Sequence, residues 1–195
     1  HQATSGAEEI SIPDAASGAY IHDIEVSPTN ADEITVIISN YETESIYHTS
    51  DGGETWQGVE GNLGDNGDLG PSVRSTVTIP GEQGNIYFVG TSTGIYSTTN
   101  LDGSNTSWEQ EATNEIGYAV VEQVNARYND GTIIAGTHGL GMYRGSFGGT
   151  VSLPSIALDP NEGRAEEKIT ISASNFEFNS SPEDNEVTFG TVTAN

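Results

Sequence analysis

The sequence predicts an all-β protein, and three observations carry the prediction. Residues 33–50, 85–99 and 132–146 repeat one order of features: an apolar run, a polar or Gly-rich turn, and an aliphatic–Tyr pair. Each segment follows another alternating run that ends in Pro, Asn, Asp or Gly, the residues of tight turns. The composition of 24 Gly, 8 Tyr and 2 Trp in 195 residues is typical of a turn-rich, aromatic β protein.

The repeats also predict how the strands are grouped. Tyr47, Tyr96 and Tyr143 of the aliphatic–Tyr pairs lie 49 and 47 residues apart, and a Trp-containing run follows the first two. Three or four short strands recurring at ~50 residues indicate the blades of a β-propeller, whereas a β-sandwich would not repeat its motifs at this spacing. We therefore expect a partial β-propeller of about three blades in residues 1–147. Three blades cannot close a ring of ~4–8, so we expect a part of a larger polypeptide, or completion by other copies.

The stretch "YHTSDGGETW" (47–56) lies where the third strand of the first repeat turns into the fourth. The Asp51 side chain can accept hydrogen bonds from backbone N–H groups two residues on, as in an Asx turn. Gly53 supplies a positive φ without steric cost, and Thr49 and Thr55 offer hydroxyls to the same turn. Trp56 buries a large ring beside it. The stretch is therefore predicted to be structural.

This stretch resembles an Asp box, the pattern Ser or Thr, any, Asp, any, Gly, any, Thr, Trp. Thr49, Asp51, Gly53, Thr55 and Trp56 match it. The resemblance implies a propeller of the sialidase, sortilin or xyloglucan-hydrolase type, with the box on a rim hairpin away from the ligand face. The second repeat contains a degenerate box. Its matching residues are Asp102, Gly103 and Trp108. The third, "AGTHGLGMYRGSF", resembles a last-blade sequence, so the resemblance covers roughly residues 10–148.

The pattern changes after residue 147. Residues 148–153 are a predicted linker, and residues 154–195 resemble about the first half of an IPT/TIG domain, an immunoglobulin-like module. The resemblance implies a truncated Ig-like β-sandwich. The matching residues are Pro154, Ile156, Pro160, Gly163, Ile169, Ile171, Asn175, Phe176, Val187, Phe189 and Gly190.

The charge excludes some partners. The chain has 29 acidic residues against 5 Lys and Arg, a formal net charge of −24. Such a surface repels phosphate backbones and anionic membranes, so no nucleic-acid partner is expected. No apolar run approaches the ~20 residues of a membrane span. With no cysteine, thiolate metal sites and thiol nucleophiles are absent. The Asp-box resemblance implies a secreted or cell-surface protein.

Catalytic residues are not evident. Sialidase-type sites need clustered arginines, but Arg74, Arg127 and Arg144 are interpreted as surface or blade-edge cations. Xyloglucan-hydrolase-like enzymes use two facing carboxylates, for which Asp23, in the run "IHDIEV", is a weak candidate. Its neighbour His22 could assist. If the chain is part of an enzyme, we expect a glycoside hydrolase.

One loop has the composition of a cation site. "GDNGDLG" (64–70) places Asp65, Asn66 and Asp68 in a flexible segment with oxygen ligands, which suits Ca²⁺. It lacks the twelve-residue pattern and distal Glu of a known Ca²⁺ loop, and a solvated acidic loop is the competing interpretation. The four histidines are far apart and include no HExxH-like pair. No other cofactor is expected.

These observations favour a non-catalytic extracellular or cell-surface module that binds a glycan or a protein, as in adhesion. One alternative is the part of a propeller glycoside hydrolase whose catalytic carboxylates lie mostly upstream. Another is a sortilin-like propeller that binds peptides. Fold analogy alone supports all three, because propellers host unrelated functions.

Overall fold

The structure is a computed structural model that describes residues 9–13, 15, 17–40, 43–64, 70–81, 84–147, 155–159, 170–174, 188–189 and 192–193. The chain divides into two compact units, His1–Val151 and Ser152–Asn195. The described elements are β-strands and three single 3₁₀ turns, so the predicted all-β class is confirmed. No described part of the chain forms a helix long and apolar enough to span a membrane.

The described part of the first unit forms three antiparallel sheets, each a simple up-and-down meander in chain order. The first sheet consists of β1 (Ile21–Val26), β2 (Ile34–Ile38), β3 (Ile46–Thr49) and β4 (Gln57–Gly58). The middle sheet consists of β5 (Val73–Gly81), β6 (Gly84–Thr91), β7 (Gly94–Thr98) and β8 (Glu109–Glu111). The third sheet consists of β9 (Val121–Arg127), β10 (Thr132–Thr137) and β11 (Gly141–Ser146). Each sequence repeat therefore builds one sheet.

Apolar side chains pack the three sheets face to face. One buried cluster lies between the first and middle sheets and consists of Ile37, Ile46, Val59, Leu63, Val73, Tyr87, Val89 and Trp108. A second lies between the middle and third sheets and consists of Val77, Ile79, Phe88, Ile95, Ile116, Val121, Val124, Ile133 and Ala135. The middle sheet is covered on both faces, so β5 is buried along almost its whole length. This explains its run of Val, Thr and Ile in place of strict polar–apolar alternation.

The first strands of the three sheets are neighbours, and side chains link them directly. Asp23 on β1 accepts a hydrogen bond from the backbone N–H of Thr76 on β5 at 2.9 Å. Ser75 on β5 accepts one from the backbone N–H of Val124 on β9 at 2.8 Å. The same contact thus recurs from one sheet to the next.

The outer face of the first sheet is apolar. Ile21, Ile24 and Val26 of β1 are 53%, 57% and 48% exposed. Ile21 and Ile24 border a groove of about 210 Å³ that Ile10 and Trp56 also line. This face lies on the opposite side of the sheet from Asp23, which points toward the middle sheet.

The described residues of the second unit form two strand pairs. β12 (Ser155–Asp159) pairs antiparallel with β13 (Thr170–Ser174), and β14 (Thr188–Phe189) pairs with β15 (Val192–Thr193). The predicted linker 148–153 and several residues of the IPT/TIG resemblance lie outside the described residues. These are Pro154, Pro160, Gly163, Ile169, Asn175, Phe176, Val187 and Gly190. The Ig-like domain remains a prediction.

Candidate functional site

The Asp-box residues lie in the turn between β3 and β4 and hydrogen-bond one another. Asp51 Oδ1 accepts from the Thr55 backbone N–H at 2.9 Å and from the Thr49 hydroxyl at 2.6 Å. Asp51 Oδ2 accepts from the Thr55 hydroxyl at 2.5 Å. These bonds, from Thr49 first and Thr55 next, lower the pKa of Asp51 far below its ordinary value. The carboxylate is therefore held ionised as the acceptor of the turn.

Thr49 is the second organising residue of this turn. Its Oγ1 accepts from the backbone N–H groups of Asp51 at 3.2 Å and Gly53 at 3.1 Å. Gly53 has φ +96°, and its carbonyl accepts from the Trp56 indole N–H at 3.1 Å. The carboxylate of Asp51 reaches four residues on, to Thr55, and not two as the sequence suggested. The side chains of Thr49, Asp51, Thr55 and Trp56 thus each have a hydrogen-bond partner inside the turn.

Replacing Thr49 by valine is expected to lower the free energy of unfolding by about 1–2 kcal/mol, because it leaves the partly buried N–H groups of Asp51 and Gly53 without their acceptor. Urea unfolding measures the change. The matched control is Thr98→Val, at the same position of the middle sheet, where the hydroxyl bonds only to the backbone of Asn100. An equal loss in both variants would contradict the structural role assigned to the Asp-box turn.

The degenerate box of the middle sheet is built differently. Asp102 makes no side-chain cap hydrogen bond, and a 3₁₀ turn, Gly103–Asn105, follows it. The Thr106 hydroxyl accepts from the Asp102 backbone N–H at 2.9 Å and donates to the Gly103 carbonyl at 2.7 Å. Trp108 is 3% exposed, and its indole N–H donates to the Val59 carbonyl at 3.0 Å. Here a threonine hydroxyl, and not an aspartate carboxylate, makes the hydrogen bonds that hold the turn. Trp108 links this turn to the first sheet through its bond to Val59.

Asp23, the weak catalytic candidate, faces the middle sheet. Besides Thr76, its carboxylate accepts from the backbone N–H of Ile24 at 3.0 Å. The nearby Glu25 accepts from the Tyr128 hydroxyl at 2.7 Å. Burial raises the pKa of Glu25, and the Tyr128 hydrogen bond only partly offsets this. Both carboxylates of β1 are therefore bound to neighbouring sheets.

A second buried polar group joins the first and middle sheets at the Asp-box end. Glu33 accepts from the Tyr87 hydroxyl, from Asn85 at 2.8 Å, and contacts His48 at 3.4 Å. Burial would raise the pKa of Glu33, but these hydrogen bonds outweigh it and lower the pKa. Burial lowers the pKa of His48 despite Glu33 beside it. The Glu33 carboxylate therefore has its hydrogen-bond partners within this cluster.

Three β-bulges mark the opposite end of the sheets. The strand register shifts by one residue between Ile21 and Asp23, between Val73 and Ser75, and between Gln123 and Val121. The extra residues are His22, Arg74 and Glu122, one on each first strand. A bulge re-aims a side chain, and bulges are frequent beside binding sites. We call this end, with His22, Arg74, Glu122 and His138, the bulged end.

At the bulged end the charged side chains contact each other. Arg74 Nη1 donates to Glu122 Oε1 at 3.0 Å and Oε2 at 2.8 Å. His138 Nδ1 lies 3.3 Å from Glu122 Oε1. The Arg74 hydrogen bond lowers the pKa of Glu122. The buried Arg74 Nε has no hydrogen-bond partner among the described residues. The site is therefore a bidentate donor–acceptor pair with His138 beside it.

Aromatic and backbone groups complete this end. Tyr20 is 64% exposed, and its ring meets that of His22 edge-on at 6.0 Å between centroids. In each sheet one equivalent backbone hydrogen bond joins the residue before the first strand to the residue after the second strand. The N–H groups of Ser39, Ser92 and His138 donate to the carbonyls of Tyr20, Ser72 and Val120. This repeated closure keeps the bulged residues on a rigid frame.

The sequence indicated only a surface or blade-edge cation at Arg74 and no role for Glu122. A signal was present: each first strand begins with an aliphatic residue followed by two polar ones, Ile21-His22-Asp23, Val73-Arg74-Ser75 and Val121-Glu122-Gln123. This triplet breaks the strict alternation of a strand. Aligning the repeats on their first strands would have brought the three positions together.

No metal centre is evident in the described part of the chain, where no three His, Cys, Asp or Glu side chains converge. The Ca²⁺ candidates Asp65, Asn66 and Asp68 lie outside the described residues. A cation site in that loop remains a prediction. Arg127 and Arg144, the other two arginines considered, lie on the third sheet away from Arg74, and Arg127 pairs with Asp130.

Comparison with known proteins gives a similarity to a solved structure. No protein-family model matches the sequence, and no curated protein does. Among solved structures, the chain is similar to an ancestral GH74 enzyme, with a TM-score of 0.42 and 16% sequence identity. The similarity covers 67% of this chain and 18% of that chain. The present chain therefore spans less than a fifth of that enzyme's length.

Proposed function

We propose that this chain is a non-catalytic binding module of a secreted or cell-surface protein, and that it binds a glycan at the bulged end. The observation that carries the proposal is the alignment of three bulges, which puts His22, Arg74 and Glu122 on consecutive first strands. In this proposal the sheets are consecutive blades of an Asp-box propeller. The apolar outer face of the first sheet supports it, since a further blade would cover that face.

The chemistry of the bulged end suits a sugar. Vicinal hydroxyls need acceptors and donors in a fixed geometry, and the Arg74–Glu122 pair with His138 offers both. Tyr20, exposed beside His22, gives a ring face against which a pyranose can pack. The Asp-box turn lies at the other end of the strands, where its groups satisfy one another.

The carboxylates support a binding role over a catalytic one. A glycosidase needs an acid and a base on either side of the scissile bond, roughly 5–10 Å apart. In this chain Asp23 and Glu25 are hydrogen-bonded to Thr76 and Tyr128 of neighbouring sheets. The glycoside-hydrolase alternative places its catalytic carboxylates upstream of the residues described above.

A panel of neutral and acidic oligosaccharides, followed by calorimetry with the best ligand, tests the proposal. We expect His22→Ala and Arg74→Gln each to weaken binding about tenfold, the effect of losing one or two polar contacts. The matched control is Arg127→Gln, which removes an exposed arginine paired with Asp130 at the other end. Thermal melts check that each variant folds.

Three results would count against this function. Equal losses from Arg74→Gln and Arg127→Gln would exclude the bulged end as the site. Binding of peptides in place of every oligosaccharide would favour the sortilin-like alternative. Hydrolysis of a bound oligosaccharide by the purified chain would overturn the non-catalytic assignment.

A further inference from the structure

A largely buried acidic side chain joins the first and middle sheets at the Asp-box end. Glu33 comes directly before β2, and its side chain is 12% exposed. Its carboxylate accepts hydrogen bonds from the Tyr87 hydroxyl and from Asn85 Nδ2, both on β6 of the middle sheet. His48 of β3, whose side chain is 14% exposed, contacts the same carboxylate. One carboxylate of the first sheet thus accepts from two donors of the middle sheet.

The contact between the middle and third sheets has apolar residues at the same positions. The equivalent backbone bonds that follow the second strands align the three sheets. In this alignment Glu33 corresponds to Ile86, and Tyr87 corresponds to Ile133. Both isoleucines belong to the apolar packing between the middle and third sheets. The fold therefore does not require ionisable groups at these positions, and burying a carboxylate costs free energy unless it is paired.

The hydrogen-bond geometry requires Glu33 to be ionised. Its Oε1 faces the Tyr87 hydroxyl and His48 Nε2, and its Oε2 faces the Asn85 amide. A proton on either oxygen would point at another donor, so at least one of these bonds would be lost. Burial alone would raise the pKa of Glu33, but the hydrogen bonds outweigh it and lower the pKa. The contact between the two sheets is therefore strongest when Glu33 is charged.

His48 is the group that responds first when the pH falls. The titratable groups that face it are Glu33, at 3.4 Å, and Tyr87, whose ring lies edge-on at 5.9 Å between centroids. Its partners across β2 and β4, Thr35 and Gln57, carry no charge. Burial lowers the pKa of His48, although Glu33 favours the charged form. If the sheets separated, the solvated imidazole would take up a proton at about pH 6.5. Acid below about pH 6.5 therefore favours separation.

The two carboxylates of this region act in opposite directions at lower pH. Because the pKa of Glu33 is lowered, the stability that it contributes is present above the ordinary value of about 4.3 and is lost as the pH falls below it. Burial raises the pKa of Glu25 on β1, so acid stabilises the closed contact through this residue. The response that begins near pH 6.5 is therefore assigned to His48.

We propose that Glu33 and His48 make the contact between the first and middle sheets a pH switch, in which acid separates these two sheets while the middle and third sheets stay together. At the second contact the equivalent isoleucines do not titrate. The Arg74 hydrogen bond lowers the pKa of Glu122 there, so that pair is kept to lower pH. This inference does not depend on the function proposed for the bulged end.

Two backbone N–H groups report separately on the two contacts. The Thr76 N–H donates to Asp23 of the first sheet, and the Val124 N–H donates to Ser75 of the middle sheet. Their hydrogen exchange is measured by NMR on the 195-residue chain at about pH 7 and about pH 5.5, on either side of ordinary histidine titration, and corrected for intrinsic exchange. We expect the protection of Thr76 to fall about fivefold and that of Val124 less than about twofold.

Three variants assign the response to these residues. His48→Gln keeps an N–H donor for Glu33 but does not titrate, so Thr76 protection should change less than about twofold between the two pH values. Glu33→Gln imitates the protonated carboxyl and should lower Thr76 protection about fivefold already at neutral pH, without changing Val124. His138→Gln is the matched control, because His138 also contacts a glutamate, Glu122, but is exposed. It should leave the response of Thr76 unchanged.

Three results would overturn the proposal. Equal loss of protection at Thr76 and Val124 would show general acid unfolding and not separation of one contact. Constant protection of Thr76 between the two pH values would show that the first contact is not acid-sensitive. A full response in His48→Gln would exclude His48 as the titrating group. If Glu33→Gln does not fold, the comparison of the unmodified chain with His48→Gln still decides between these results.

Discussion

Replacing Trp108 by alanine is expected to lower the free energy of unfolding by about 3–5 kcal/mol, the cost of emptying a large aromatic site in a core. The ring is 3% exposed and packs between the first and middle sheets. Its indole N–H donates to the Val59 carbonyl, which would lose a buried partner. Since small domains have only about 5–15 kcal/mol of stability, much of the fold's stability depends on this residue.

Urea unfolding followed by circular dichroism measures the effect. The matched control is Trp56→Ala, at the same repeat position of the first sheet, where the ring borders the apolar groove and is only partly buried. There we expect a loss of about 1–2 kcal/mol, in proportion to the smaller area removed from water. Trp108→Phe keeps a ring and should cost less than Trp108→Ala. A loss at Trp108 no larger than at Trp56 would contradict the packing described.

Replacing Gly61 by alanine is the second large effect, with an expected loss of about 3 kcal/mol or more. Gly61 has φ +50°, and an added Cβ would lie 1.9 Å from the backbone carbonyl oxygen of Thr106. The turns at Gly61–Leu63 and Gly103–Asn105 would have to move apart. That movement breaks the bond from the Asn62 N–H to the Thr106 carbonyl and the paired bonds between Asn62 and Trp108.

Gly117→Ala is the control that separates backbone strain from the steric clash. Gly117 has φ +57°, close to that of Gly61, but its added Cβ would lie at an acceptable 3.4 Å from the Thr113 carbonyl. The cost there should be about 1 kcal/mol, the penalty for a left-handed residue with a side chain. Thermal melts of both variants provide the comparison. Equal losses would show that the Thr106 carbonyl can move away from the added Cβ without lowering the stability further.

The repeats allowed the strands to be predicted because each repeat contains its own sheet. Strict meanders keep strand order equal to chain order, so Tyr47, Tyr96 and Tyr143 fall on equivalent third strands. The donors and acceptors of the turn after β3 lie within eight positions of the sequence, so its groups could be predicted to interact, although Asp51 bonds to Thr55 and not to an N–H two residues on. Residues that are close together in this part of the sequence are therefore also close together in the structure.

The bulged end could not be predicted in the same way. A bulge is defined by the register between two strands, and the sequence of one strand does not fix which residue is left over. The contact of Arg74 with Glu122 joins residues 48 apart in sequence. The role of Asp23 was missed for a related reason. Its carboxylate accepts a hydrogen bond from the backbone N–H of Thr76 in the next sheet. Almost every residue has a backbone N–H, so the sequence does not indicate which one will be the donor.

The opposite placement of the Asp-box turn and the bulged end has a consequence for how such a protein can diverge. Substitutions separated by the full length of the strands share no partners, so their effects on stability should add independently. Side chains at the bulges can therefore change without loss of the turns that hold the hairpins at the far end, and under the proposed function such changes would alter the bound glycan. The bulged end can therefore accumulate substitutions while the turn after β3 maintains the fold.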